Sequence, residues 1–197
     1  MSRLDLVVGP NGAGKSTFVE FVLADARPGV AFVNADVIAA ERWPDDPLSH
    51  AYEAAQAAER ARDALVARGE SFIAETVASH ESKVDLVRRA RDAGFYVHLI
   101  VVAVPEEYSV QRVLARVASG GHDVPEDKIR SRWRRLWGNV VTMIELADSA
   151  EVFDNAGPGP ITIATFVGGD IVGAARSPSW APAALTERWP VEHSPDS

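Results

Sequence analysis

Residues 9 to 17 read Gly9-Pro10-Asn11-Gly12-Ala13-Gly14-Lys15-Ser16-Thr17, and their spacing decides the fold. Gly9, four intervening residues, then Gly14-Lys15-Ser16 match the phosphate-binding loop pattern without a mismatch. Glycines let successive backbone N–H groups curl into a cradle for anionic oxygens, which larger side chains would hold at a distance. A helix starting at Lys15 points its positive end at the same phosphates. Lys15 suits the β- and γ-phosphates, and the Ser16 hydroxyl suits Mg²⁺. Context supports the match. Leu4-Asp5-Leu6-Val7-Val8 reads as a short buried strand, and Thr17 to Leu23 carries the apolar residues of a helix that covers a sheet. All nine residues from Gly9 to Thr17 are therefore expected to bind a nucleoside triphosphate, ATP or GTP, with its Mg²⁺.

The whole chain sets bounds on the rest. Its 197 residues suit one domain with a sizeable core. A hydrophobic content of 47% and a charged content of 24% are ordinary for a globular protein. No apolar run has the length of a membrane helix, and a strand at the very N-terminus leaves no room for a signal peptide. Without cysteine there is no disulfide, thiolate metal site or cysteine nucleophile. These features fit the cytoplasm. A formal net charge of −8 argues against broad electrostatic binding to nucleic acid.

Further along, acidic and hydroxyl groups fall at strand ends. Val30 to Asn34 is a second apolar run, followed by Ala35 and Asp36. Ligands of an open parallel sheet collect at the carboxyl ends of its strands, where Asp36 would sit. The competing role for Asp36 is N-cap of a helix starting at Val37. Trp43, in the proline-broken loop 42–47, packs on the core or borders a pocket. Residues 48–67 place Ala51, Ala54, Ala55, Ala58, Ala61 and Leu65 at helical spacing. Ser71 to Thr76 reads as the third strand, with Glu75 and Thr76 at its carboxyl end. A helix over 83–93 stops at Gly94, and Tyr96 to Val104 suits a central parallel strand. His98, inside that strand, reads as a satisfied buried histidine.

The second half adds basic residues. A helix over 106–118 carries Arg112 and Arg116 four apart, on one face. A glycine turn, Ser119 to Pro125, leads into a long helix over 126–147 bearing Arg130, Arg132, Arg134 and Arg135. Helix, turn and basic helix suggest a lid over a triphosphate, spanning about 112–135. Arg116 and Arg132 flank the turn and are expected on phosphates. For Arg134 and Arg135 a solvated face is equally open. Glu151 to Asn155 is the last parallel strand, and 161–167 with 171–174 form a hairpin around Gly168-Gly169-Asp170. The expected class is α/β: a P-loop kinase-type parallel sheet flanked by helices, with a helical lid and a C-terminal β-hairpin. Residues 1–175 make the domain and 176–197 a proline-rich tail. That tail holds one docked helix over 182–189 and a loose end.

Together, Gly9 to Thr17, Val33-Asn34-Ala35-Asp36, Ala74 to Ser79, Gly120 to Pro125, Ile129 to Trp133 and Phe153-Asp154-Asn155 resemble the zeta-toxin-like kinases. They are most similar to the small stand-alone bacterial branch, and the resemblance covers residue 3 to about 167. It implies transfer of the γ-phosphate of ATP or GTP to a hydroxyl of UDP-N-acetylglucosamine. Under it, Asp36 is the general base, Glu75 and Thr76 contact the sugar, Lys15 and Ser16 serve nucleotide and Mg²⁺, and Arg116 binds phosphate. Gly120-Gly121-His122 stands where better-known members carry a second arginine, so His122, Arg130, Arg132 or Arg134 is left to complete the lid. A separate antitoxin chain is the implied protein partner. Other readings stay open: a kinase for a different small acceptor, an NTP hydrolase or switch acting through a protein partner, and a binding module without chemistry.

Overall fold

Side chains that alternate in character along the first strand separate the two faces of the sheet. In the computed structural model, which describes residues 1–118 and 124–191, β1 is Arg3–Val8. Leu4, Leu6 and Val8 join one core cluster, and Val7 joins the other. β2 (Ala31–Val33), β3 (Phe72–Thr76), β4 (Tyr96–Ala103) and β5 (Ser149–Asp154) run parallel with β1. β6 (Ile161–Val167) and β7 (Asp170–Ile171) are antiparallel and close the edge as the expected hairpin. The strand order is β2-β3-β1-β4-β5-β6-β7. The chain works outward from β1 to one edge and then crosses back over it to β4. β1 is thus the switch point at which a ligand crevice opens.

One sheet face, with Val7, Ile73, Ile100 and Val102, is covered by Phe18, Val19 and Leu23. These come from a helical stretch made of α1 (Lys15–Phe18), a π-helical turn (Val19–Leu23) and α2 (Ala24–Ala26). The opposite face packs against α4 (Ala51–Arg68), α5 (Ser82–Asp92) and α7 (Glu126–Leu146) through Ala58, Leu65, Val84, Val87, Leu136, Trp137 and Val140. α6 (Glu106–Ala118) leans on α7 through Val110, Val113 and Ile129. Among the described residues no helix is long and apolar enough to cross a membrane.

The structure alters three local readings. α3 spans Ala35–Arg42, so the helix starts two residues earlier than Val37, and its N-cap is Asn34 instead of Asp36. The buried stripe of α4 is Ala54, Ala57, Ala58, Arg62 and Leu65, while Ala51 and Ala55 are exposed. Trp43 stacks on His50, ring centroids 4.6 Å apart, and joins no core cluster. In the proline-rich segment, α8 (Ala183–Arg188) docks, and the Trp189 indole donates to the Gly169 carbonyl at 3.0 Å. Gly120, Gly121 and His122, with residues 192–197, lie outside the described residues.

At the amino ends of the strands sits a fully buried carboxylate. Asp5 accepts from Arg3 at 2.8 Å, approaches Arg27 at 3.3 Å and meets His98 Nδ1 at 3.1 Å. The other His98 nitrogen lies 3.3 Å from Glu151, so this histidine is satisfied within the sheet as expected. Burial pushes the Asp5 pKa up, but hydrogen bonds with His98 and Arg3 and the charges of Arg3 and Arg27 outweigh it, leaving the value lowered. A lowered carboxyl pKa stabilises the fold above the unfolded value of about 3.9, and that contribution is lost as pH falls through the folded value. Asp5→Ala should cost about 1 to 3 kcal/mol at neutral pH. In thermal melts taken from neutral pH into acid, the parent should lose part of its lead over the variant. A lead that is constant with pH would contradict this.

Candidate functional site: a cation-lined cavity at the strand ends

The phosphate loop is tied down from outside. A Cβ on Gly9 would overlap the carbonyl oxygen of Val102 on β4, so only glycine allows so close an approach. At Gly14 (φ 86°) a Cβ would come within 2.7 Å of the Asn155 amide nitrogen. That amide donates to the Ala13 carbonyl at 2.7 Å. Ser109, fully buried on α6, donates to the Asn11 carbonyl, and Lys15 Nζ donates to the Pro10 carbonyl at 2.9 Å. Three carbonyls are thereby fixed without consuming the first N–H groups of the helix, which have no intrahelical partner.

The loop opens on a cavity of about 700 Å³. Asn11, Gly12, Gly14, Lys15, Ser16 and Thr17 line it, whereas Gly9, Pro10 and Ala13 shape the loop from behind. Asp36, Glu75, Thr76, Arg112, Arg116 and Arg132 line the same cavity. Every cavity residue named here except Asn11 and the loop glycines belongs to a helix or to a strand end, so the regular elements deliver them.

Asn34 organises the acidic side. Its amide oxygen accepts from the backbone N–H groups of Asp36 (2.7 Å) and Val37 (3.3 Å), which caps α3. Its amide nitrogen donates to Glu75 at 2.7 Å. The Glu75 carboxylate also accepts from the Ser16 hydroxyl at 3.0 Å. With Asn34 as cap, the side chain of Asp36 makes no hydrogen bond or ion pair among the described residues and is exposed to the cavity. Lys15 is 8% exposed. Burial lowers its pKa most; Glu75 and Asp36 push it back up, and Arg116 adds to the lowering. Ser16 and Glu75 present hard oxygen donors side by side, the type that Mg²⁺ takes, and phosphate oxygens and water would fill its other positions. Among the described residues no three His, Cys, Asp or Glu side chains cluster as a self-sufficient metal site.

The basic helix is sorted by its partners. Arg130 reaches Glu107 and Glu126, each at 2.9 Å, and Arg134 reaches Glu106 at 3.0 Å, so both tie α7 to α6 instead of lining the cavity. Arg135 is exposed and donates to its own helix at Ser131. Only Arg132 of this group lines the cavity, next to Trp133, whose indole donates to the Val104 carbonyl at 3.0 Å and pins α7 to the end of β4. Arg112 donates to the Ala156 carbonyl at 3.4 Å.

Sequence reasoning missed Asn34 as a positioning group, and it missed Arg62 and Lys83, which also line the cavity. A signal existed for Arg62: it stands four residues after Ala58 and three before Leu65, on the apolar stripe of α4.

The sequence model of one family, described as "AAA domain", matches residues 4–136, from β1 into α7. The chain belongs to that family. An uncharacterized protein of Haemophilus influenzae is 32% identical over 126 residues, 64% of this chain and 88% of that protein. The fold is shared with a crystal structure of AvrRxo1-ORF1:-ORF2 with ATP (TM-score 0.68, 20% identity), over 87% of this AAA-domain chain. This chain spans 60% of that longer one. The PezAT chromosomal toxin-antitoxin system of Streptococcus pneumoniae also shares it (TM-score 0.62, 14% identity, 88% of this chain and 70% of the other). The fold is that of P-loop kinases.

Asn34→Ala removes a helix cap and one of the two partners of Glu75. It should lower the unfolding free energy by about 1 to 2 kcal/mol, measured by urea denaturation. An unchanged midpoint would mean that the cap and the Glu75 bond carry no stability.

Proposed function

We propose that this AAA-domain protein is a phosphotransferase that moves the γ-phosphate of ATP or GTP to a hydroxyl of a small acceptor. UDP-N-acetylglucosamine is the acceptor suggested by the zeta-toxin resemblance. One observation carries the reading: the carboxylate of Asp36, which makes no hydrogen bond or ion pair among the described residues, lines the cavity that Lys15, Ser16, Arg112, Arg116 and Arg132 also line. A simple NTP hydrolase needs room for a water molecule only. A cavity of about 700 Å³ that continues along α4 and α5 suits a second organic substrate.

Phosphoryl transfer asks for positioning and charge neutralisation more than for covalent help. In this reading the loop N–H groups and Lys15 hold the phosphates, and Arg112, Arg116 and Arg132 take up charge as it shifts toward the leaving diphosphate. Ser16 and Glu75 would hold Mg²⁺, which neutralises the phosphates when bound. Thr76 remains at the strand end to meet the acceptor. Asp36 accepts the proton of the acceptor hydroxyl while its oxygen bonds to the γ-phosphorus and the bond to the bridging oxygen breaks. The products are the phosphorylated acceptor and the nucleoside diphosphate. A separate antitoxin is the partner suggested by the fold shared with PezAT.

The test is transfer from ATP or GTP, with Mg²⁺, to UDP-N-acetylglucosamine, read as a gain of one phosphate by mass spectrometry. Asp36→Asn should bind nucleotide as the parent does and lose roughly 100- to 10,000-fold in transfer rate. Transfer by Asp36→Asn at the parental rate would remove Asp36 as the base. An unmodified sugar nucleotide would remove this acceptor.

A further inference from the structure

Arg62 has no role in the chemistry above, yet it occupies an expensive place. It is 4% exposed, on the buried stripe of α4. Among the described residues it forms no ion pair and no hydrogen bond. Its acidic neighbours Glu59 and Asp63 act on it only as nearby charges, and Asp63 is itself paired with Arg89 at 2.9 Å. None of its guanidinium nitrogens is sealed in the core without a partner; its donors open on the cavity. Arg62 lines the cavity, so a ligand there is the available acceptor. Lys83, the second residue of α5, lines the same cavity and is half-buried.

Burial lowers the Lys83 pKa, and the charge of Arg62 lowers it further. Arg62 stands apart in the sheet: α4 packs on the β2 side of β1, whereas Arg112 follows β4 on the other side, where α5 with Lys83 also makes contact. The cavity thus holds two cations, Arg62 and Lys83, beyond those the phosphoryl transfer above employs.

Resting on the kinase reading, we propose that Arg62 and Lys83 form an acceptor subsite for a phosphate dianion, so that the natural acceptor already carries a phosphoryl group remote from the hydroxyl that is modified. Two cations on one cavity match a dianion better than the single charge of a carboxylate. Arg62 supplies the planar fork and Lys83 a mobile point charge. The Ser79 hydroxyl, on the same cavity wall, adds a further donor.

The experiment uses the full chain saturated with the non-hydrolysable analogue AMPPNP and Mg²⁺, which occupies the loop. A hexose monophosphate, the parent hexose and the matching hexuronate are then titrated by calorimetry. The hexose phosphate should bind, and the other two should bind more weakly. Arg62→Gln should weaken the hexose phosphate by about 10- to 100-fold while AMPPNP affinity stays as in the parent. Lys83→Gln, at a half-buried position, should weaken it in the same direction and serves if Arg62→Gln fails to fold. Equal binding of all three probes, or parental affinity in the variant that folds, would overturn the subsite. The two readings fail separately. Binding at Arg62 without transfer to any hydroxyl would keep the subsite and remove the kinase. Transfer with a KM unchanged by either substitution would keep the kinase and remove the subsite.

Discussion

One amide side chain holds the acidic half of the cavity in place. Asn34 uses its oxygen on the first turn of α3 and its nitrogen on Glu75, and Glu75 in turn meets the Ser16 hydroxyl. Each end of the amide has one function, and the choice of residue follows from that. An aspartate at 34 would cap the helix equally well but would bring a second carboxylate against Glu75, without a donor. A serine would cap but would fall short of β3. Asparagine alone among the usual caps offers acceptor and donor at that reach. Because the cap is taken, the Asp36 carboxylate at the cavity wall is engaged by no hydrogen bond or ion pair among the described residues.

The basic half obeys a different constraint. Four arginines crowd the start of α7, and carboxylates on α6 and on α7 itself engage two of them. Arg130 and Arg134 spend their charge joining the helices, and Arg132 lines the cavity because the neighbouring Trp133 is anchored on Val104. A run of like charges is therefore divided by local geometry into fasteners and ligand groups. Surface pairs of this sort add little stability. Their consequence here is orientation of a helix whose Arg132 lines the same cavity as the phosphate loop.

How much of this was legible in the sequence depends on range. The phosphate loop could be read from nine residues because its geometry is local: glycine spacing, a preceding strand and a following helix. The parallel strands and the closing hairpin were legible too, since apolar runs and turn residues are local signals. Asp36, Glu75 and Thr76 were readable as strand-end groups, and the structure places all three in one cavity. The identity of the helix cap was not legible, because Asn34 and Asp36 are both good caps and only the depth of β2 decides between them. Arg62 was hidden by composition: in an alanine-rich helix, one more charged residue looks like solvent face until the stripe is drawn through Ala58 and Leu65. Which arginine of α7 lines the cavity depends on carboxylates 20 or more residues away, and no local pattern carries that.

The central claim is that the Glu75 carboxylate beside Ser16 is part of the site for a Mg²⁺-bound nucleotide and not merely a structural hydrogen bond. The most direct measurement is AMPPNP affinity by calorimetry, with Mg²⁺ and with EDTA, for the parent and Glu75→Gln. Glutamine keeps the shape and an acceptor oxygen but removes the charge. Mg²⁺ is expected to tighten binding by about tenfold or more in the parent, a gain of roughly 1.4 kcal/mol, and Glu75→Gln is expected to lose most of that gain. The same Mg²⁺ gain in both proteins would contradict the claim and leave Glu75 as a partner of Asn34 alone.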